Sequence, residues 1–121
     1  MLSILPVTDN SELCGIYKSA NIPLTENAGA VVAKEGNETL GVCLFTLKEN
    51  VTINYLEPAD DLMLADGILR SALHVAECNG VFTAYYSNTA PINVFKKLDF
   101  ILDEAEKSLK IEKLHQSCHG C

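Results

Sequence analysis

Between Val51 and Tyr86 the chain reads as a strand, a helix and another strand, and a crossover of that length implies a parallel pair with a right-handed connection. Val51, Ile53 and Tyr55 alternate with Thr52, Asn54 and Leu56, the period of a strand. Pro58 ends it, and Asp60-Asp61 put carboxylates where a helix start is electropositive. Leu62, Ala65, Ile68, Leu69, Ala72 and Ala76 then recur at helical spacing. Asn79-Gly80 tolerates the left-handed backbone of a helix end, and Val81 to Tyr86 reads as the second strand.

The remaining segments build around that unit. Ile4 to Val7 predicts a short strand, and Thr8 to Ser11 offers cap chemistry for a helix with Leu13, Ile16 and Tyr17 on one face, stopped at Asn21-Ile22-Pro23. Ala30 to Ala33 and Leu40 to Leu47 predict a hairpin about the turn Glu35 to Glu38, and Lys48 to Asn50 turns into the strand at Val51. Asn88-Thr89 is a candidate cap for a last helix with Pro91 in its first turn and Ile92, Phe95 and Leu98 inward. Phe100 to Leu102 and Leu109 to Leu114 read as two closing strands.

The fold class expected is α/β, a mixed sheet flanked by helices. With 121 residues, 48% of them apolar, the chain is sized for one core, so residues 1–114 are read as one domain and 115–121 as a tail. The net charge of −7 argues against nucleic acid as a partner, because acidic surfaces repel polyphosphates. Apolar runs are strand-sized and no basic, apolar leader opens the sequence, so no membrane partner and a cytoplasmic location are expected; a homodimer stays open.

One segment carries a more specific pattern. Asn88-Thr89-Ala90-Pro91-Ile92-Asn93-Val94-Phe95-Lys96-Lys97-Leu98-Asp99-Phe100 is similar to the Asn-x-x-Ala-x-x-x-Tyr-x-Lys-x-Gly-Phe segment of the GNAT superfamily of acyl-CoA-dependent N-acyltransferases. Asn88, Lys97 and Phe100 match; Pro91, Phe95 and Asp99 stand where the family has a small residue, tyrosine and glycine. Leu64 to Leu69 aligns with its pyrophosphate loop through Gly67 alone. The element order also resembles the family's, with one N-terminal helix reduced.

The resemblance implies a GNAT-like central mixed sheet, acetyl-CoA as acyl donor and an amine acceptor, small molecule or peptide. On it, Leu56, Asp66, Gly67, Ile68, Leu69, Arg70, Asn88, Phe95 and Lys96 are the expected cofactor contacts. Glu57 is the expected general base. With Phe95 unable to donate a proton, Tyr86 is a candidate acid, Tyr85 being the other strand tyrosine. Gly67 and Asn88 also have simpler readings, as a packing glycine and a helix cap. Asp60, Asp61 and Asp66 oppose an anionic ligand, and Arg70, Lys96 and Lys97 offset them. The alternative is a catalytically silent binding or regulatory domain. The tail, His115 to Cys121, holds Cys118-x-x-Cys121, half of a zinc site or a reversibly oxidised pair.

Overall fold

The structure is a computed structural model and describes residues 2–112. Its elements run β1 (Leu2–Pro6), α1 (Asn10–Ala20), β2 (Ala28–Glu35), β3 (Glu38–Leu47), β4 (Val51–Glu57), α2 (Leu62–Cys78), β5 (Ala84–Tyr86), α3 (Ile92–Lys97), β6 (Ile101–Asp103) and β7 (Ser108–Leu109). The strands form one sheet in the order β1-β2-β3-β4-β5-β7-β6, in which β4 and β5 are parallel and the other neighbours antiparallel.

Both faces of the central strands are covered, which is why Ala30 to Ala33 and Val42 to Phe45 are continuously apolar. Val31, Ala33, Cys43 and Phe45 join the larger core with α2 and α3, while Ala30, Val32, Val42 and Leu44 pack with Tyr17 of α1. The buried face of α2 is Ala65, Ile68, Leu69, Ala72, Leu73 and Ala76. Its start is capped by Asp61, whose carboxylate accepts from the Leu64 amide at 3.1 Å. Asp9 caps α1 in the same way, and Asn21, left-handed at φ 60°, ends it. No described helix is long and apolar enough to cross a membrane.

Three local expectations differ from the structure. The strand expected from Val81 starts at Ala84, because the Val81 amide still donates to the Ala76 carbonyl at 2.9 Å and completes the exit from α2. Pro91, and not Asn88 or Thr89, occupies the cap position of α3; the Thr89 hydroxyl donates instead to the Asn54 carbonyl at 2.6 Å, and Asn88 accepts from Lys107. The closing strand covers Ser108–Leu109, with Ile111 and Glu112 in a turn; Lys113 and Leu114 lie outside the described residues.

A larger difference lies in β4. Tyr55 pairs with Leu44 and Ile53 with Phe45, so Asn54 is an extra residue in the ladder, a bulge that reverses the facing of everything after it. Val51 and Ile53 face the α2 core, and so does Leu56; Tyr55, expected beside Val51 and Ile53, packs on the α1 side.

Tyr17 ties α1 to the sheet. Its side chain is 2% exposed, and its hydroxyl donates to the Gly29 carbonyl at 2.8 Å and the Phe45 carbonyl at 3.0 Å. Burial pushes its pKa up to about 12 from 10, with the nearby Cys43 thiol adding to the shift. The unfolded chain gives up this proton first, so the stability it contributes is whole below pH 10 and is lost as pH rises through 12. Replacing Tyr17 with Phe is expected to cost about 1–2 kcal/mol at neutral pH. In urea titrations between pH 10 and 12 the wild type should also lose stability more steeply than Tyr17→Phe, by up to about 1.4 kcal/mol per pH unit. Equal slopes would remove Tyr17 as the cause.

Candidate active-site clefts at the β4–β5 split

β4 and β5 pair only along their first residues. Val51, Thr52 and Ile53 lie against Ala84, Tyr85 and Tyr86, and the Ser87 amide donates to the Ile53 carbonyl at 3.0 Å. At Asn54 the bulge bends β4 away, and the Thr89 hydroxyl bridges to its carbonyl. Beyond that bridge the two segments enclose a cleft of about 490 Å³ lined by Tyr55 to Asp60 and by Thr89 and Pro91. Glu57 stands in its wall, exposed at the strand end.

The Tyr55 phenol lies close to the Glu57 carboxylate; partial burial first, and then the Glu57 charge and its pull on the phenolic proton, hold the phenol above its ordinary pKa. Both side chains also line a second cavity, of about 630 Å³, between α1 and the sheet. They are therefore shared by two clefts, one opening at the β4–β5 split and one under α1.

A third opening, of about 720 Å³, lies at the start of α2, lined by Leu40, Pro58 and Asp60 to Leu64. The amides of Leu62 and Met63 open the helix and have no acceptor within it, whereas that of Leu64 is taken by Asp61. An anion can approach two amides here, against the repulsion of Asp60 and Asp61.

The other expected site residues fall elsewhere. Segment 64–69 is not a loop: it lies inside α2, where the backbone amides from Ala65 onward serve the helical ladder. Gly67 faces β1, and a Cβ on it would sit 3.2 Å from Ile4 Cδ1, as a packing glycine does. Ile68 and Leu69 are in the core, as is Leu56, which is 2% exposed at the cleft wall. Asp66 accepts from Arg70 Nε at 2.9 Å, and the Arg70 guanidinium lies 5.3 Å from the centre of the Phe100 ring. Lys96 pairs with Glu104 at 3.3 Å. Two of the three cations expected to offset phosphate charge, Arg70 and Lys96, are thus engaged with carboxylates.

Phe95 is fully buried, its ring centre 5.3 Å from that of Tyr86. The Tyr86 hydroxyl, buried and without a hydrogen-bond partner among the described residues, lines a separate pocket of about 230 Å³ with Asn88, Ala90, Ile92 and Glu104. Burial first, then Glu104, raises its pKa. Tyr86 and Glu57 therefore line different cavities, and the structure does not bring them together. Cys118 and Cys121 lie outside the described residues, among which no group of three or more metal-ligating side chains gathers.

Sequence reasoning passed over Tyr55, Thr89 and Gly41. A glycine inside a strand signals close approach, and a Cβ at Gly41 would meet the Glu57 carbonyl and Ile68 Cδ1 at 2.6 Å and Pro58 Cδ at 2.8 Å. Gly41 thus lets the end of β4 lie flat across β3.

No protein-family model matches the sequence, and no curated protein is similar to it. Solved structures are. A mutant of the AtaT toxin with tyrosine changed to phenylalanine, bound to the C-terminus of the antitoxin AtaR, has a TM-score of 0.61 at 14% identity, covering 100% of this chain and 99% of that one. The solution structure of YhhK from E. coli, a candidate N-acetyltransferase bound to coenzyme A, has a TM-score of 0.50 at 14% identity, covering 81% and 86%. These likenesses show the fold, a GNAT-like mixed sheet flanked by helices.

Gly41→Ala should strain the Glu57–Pro58 corner and destabilise the protein by about 1–3 kcal/mol in urea unfolding. A neutral substitution would refute the close approach.

Proposed function

We propose that the chain is an N-acyltransferase that takes an acyl group, acetyl in the first instance, from acyl-CoA and passes it to an amine. The observation carrying this reading is the separation of β4 from β5 beyond Ile53, which leaves a cleft beside Glu57 able to take the thin pantetheine arm. The likeness to a CoA-bound structure supports it. On this reading the residues at the start of α2, Leu62 and Met63, meet the pyrophosphate through their amides, a role the sequence alignment had given to Gly67.

Acyl transfer to an amine needs a base for the ammonium proton and an acid for the departing thiolate. Glu57 is the base, directly or through water, and it stands with Tyr55 at the junction of the two clefts. Phe95 has no proton to give and Tyr86 lines another pocket, so water in the open cleft reprotonates the thiolate.

Calorimetric titration with acetyl-CoA and with CoA tests the proposal: saturable binding below about 1 mM supports it, and its absence at that concentration rejects it. Glu57→Gln should leave acetyl-CoA affinity unchanged and lower turnover by about 10²–10⁴-fold. Because Asp60 carries no capping bond, Asp60→Asn should tighten CoA binding severalfold, by about 1 kcal/mol at most, through loss of one repulsive charge.

One observation favours a second reading. Asp61 caps α2 and Asp60 lies beside it, as suits a helix start that receives no anion. A catalytically silent domain that binds a protein partner is what remains if the titration finds no binding, and AtaT, which is seen with an antitoxin segment, supports that alternative.

A further inference from the structure

From the cavity under α1 we infer that the acceptor is a small primary monoamine carried on an apolar body, and that it reaches Glu57 from the face of the sheet opposite α2. The inference rests on the acyltransferase reading. The cavity, about 630 Å³, runs between Ile16 and Ala20 of α1 and Val32 and Val42 of the sheet, with Ser19, Thr39, Tyr55 and Glu57 also in its lining. Its size suits a ligand of several non-hydrogen atoms, and those apolar side chains give such a body a reason to leave water.

Charge narrows the ligand further. Glu12, also in the lining, is already matched by Lys34 at 2.8 Å. Glu57 lies beside the Tyr55 phenol and meets no cation among the described residues, so the cavity presents one uncompensated carboxylate. One ammonium satisfies it. A polyamine would bring further charges onto Ile16, Ala20 and Val42, where the neutral hydroxyls of Ser19 and Thr39 offset little of the desolvation cost and no second unmatched carboxylate lines the cavity. An anionic acceptor would be repelled by Glu57.

The opening has a local cause. Gly15 is exposed at the rim of the lining, and a Cβ built there meets nothing within 4 Å, so a larger residue has open space at the mouth of the cavity. Gly15 is not left-handed, and as an interior helical residue it weakens α1, so a bulkier residue there is compatible with the fold.

In the step itself the ammonium gives one proton to Glu57. The freed amine nitrogen forms a bond to the thioester carbonyl carbon, the carbon–sulfur bond breaks with its electron pair leaving on sulfur, and the amide nitrogen loses its second hydrogen to solvent. The thiolate takes a proton from water. The products are an N-acyl amine and a CoA thiol.

The test uses the full chain, phenethylamine and spermidine as acceptors, and Gly15→Leu and Gly15→Trp, each checked for folding by circular dichroism. With acetyl-CoA saturating, phenethylamine should be acetylated with a kcat/KM about tenfold or more above spermidine, and Gly15→Trp should lower that kcat/KM about tenfold or more while leaving the acetyl-CoA Kd unchanged. Preference for spermidine, or a Gly15→Trp variant as active as wild type, overturns the inference. A separate arm needs no cofactor: phenethylamine titrated alone should shift the methyl NMR signals of Val32 and Val42 saturably in wild type and not in Gly15→Trp. Unmoved signals overturn the pocket even where acetyl-CoA binds. Saturable shifts uphold it even where acetyl-CoA does not bind, so the two failures are read apart.

Discussion

One extra residue, Asn54, governs most of what this fold can do. A strand has a side-chain period of two, so a single inserted residue moves every later side chain to the other face. Up to Ile53, β4 feeds the α2 core. After Asn54 it is Leu56 that does so, while Tyr55 turns toward α1. The same bend ends pairing with β5, since the last shared backbone bond is at the Ile53 carbonyl and the next carbonyl is claimed by the Thr89 hydroxyl. Without the bulge, Tyr55 would face the α2 side of the sheet with Val51 and Ile53.

The bulge is tolerable because the surrounding structure is fixed on both sides. Gly41 lets the Glu57–Pro58 corner rest directly on β3, which holds the end of β4 where the ladder has lost its partner. On the opposite face Tyr17 fastens α1 to the carbonyls of β2 and β3, which keeps the cavity roof at a set height over Val42. A short helix and a small residue at Gly15 then leave the mouth of the cavity open. Openness there is a consequence of how little α1 spans, an eleven-residue helix against a seven-stranded sheet.

The parts of the fold legible in the sequence are those written in local chemistry. α2 announces itself by its spacing and by the Asp61 cap and Gly80 exit, and the β2–β3 hairpin by Gly36, which adopts φ 64° in its turn. Even a departure from the family pattern is readable afterwards: Asp99 takes φ 59° at the position where the resemblance expects glycine. The bulge was not legible. Val51, Ile53 and Tyr55 alternate without a flaw, and nothing about Asn54 marks it as unpaired; only the register with β3 does. The proposed shift of the pyrophosphate contacts to Leu62 and Met63 has a similar origin. Gly67 drew the alignment into the helix, whereas the helix begins five residues earlier, at Leu62, and Gly67 answers to Ile4 on β1. Asn88 and Thr89 carry cap chemistry, but Pro91 takes the start of α3 and frees both to bond across the split and to Lys107.

The segment that leaves β5 works as a partition. Thr89 and Pro91 line the cleft of Glu57, while Asn88, Ala90 and Ile92 line the pocket of Tyr86, so the turn closed by the Ala90 amide on the Ser87 carbonyl at 3.1 Å and the start of α3 stand between the two. Tyr86 thus lines a pocket apart from the cleft of Glu57. On the proposed reaction this leaves base and acid supplied from different sources, a fixed carboxylate on one side and solvent on the other. A thiolate is a stable enough leaving group for solvent to suffice, because a positioned acid contributes roughly 10²–10⁴-fold and not the whole rate. The expected enzyme is slow, and its speed is limited by the same open geometry that admits the amine from beneath α1.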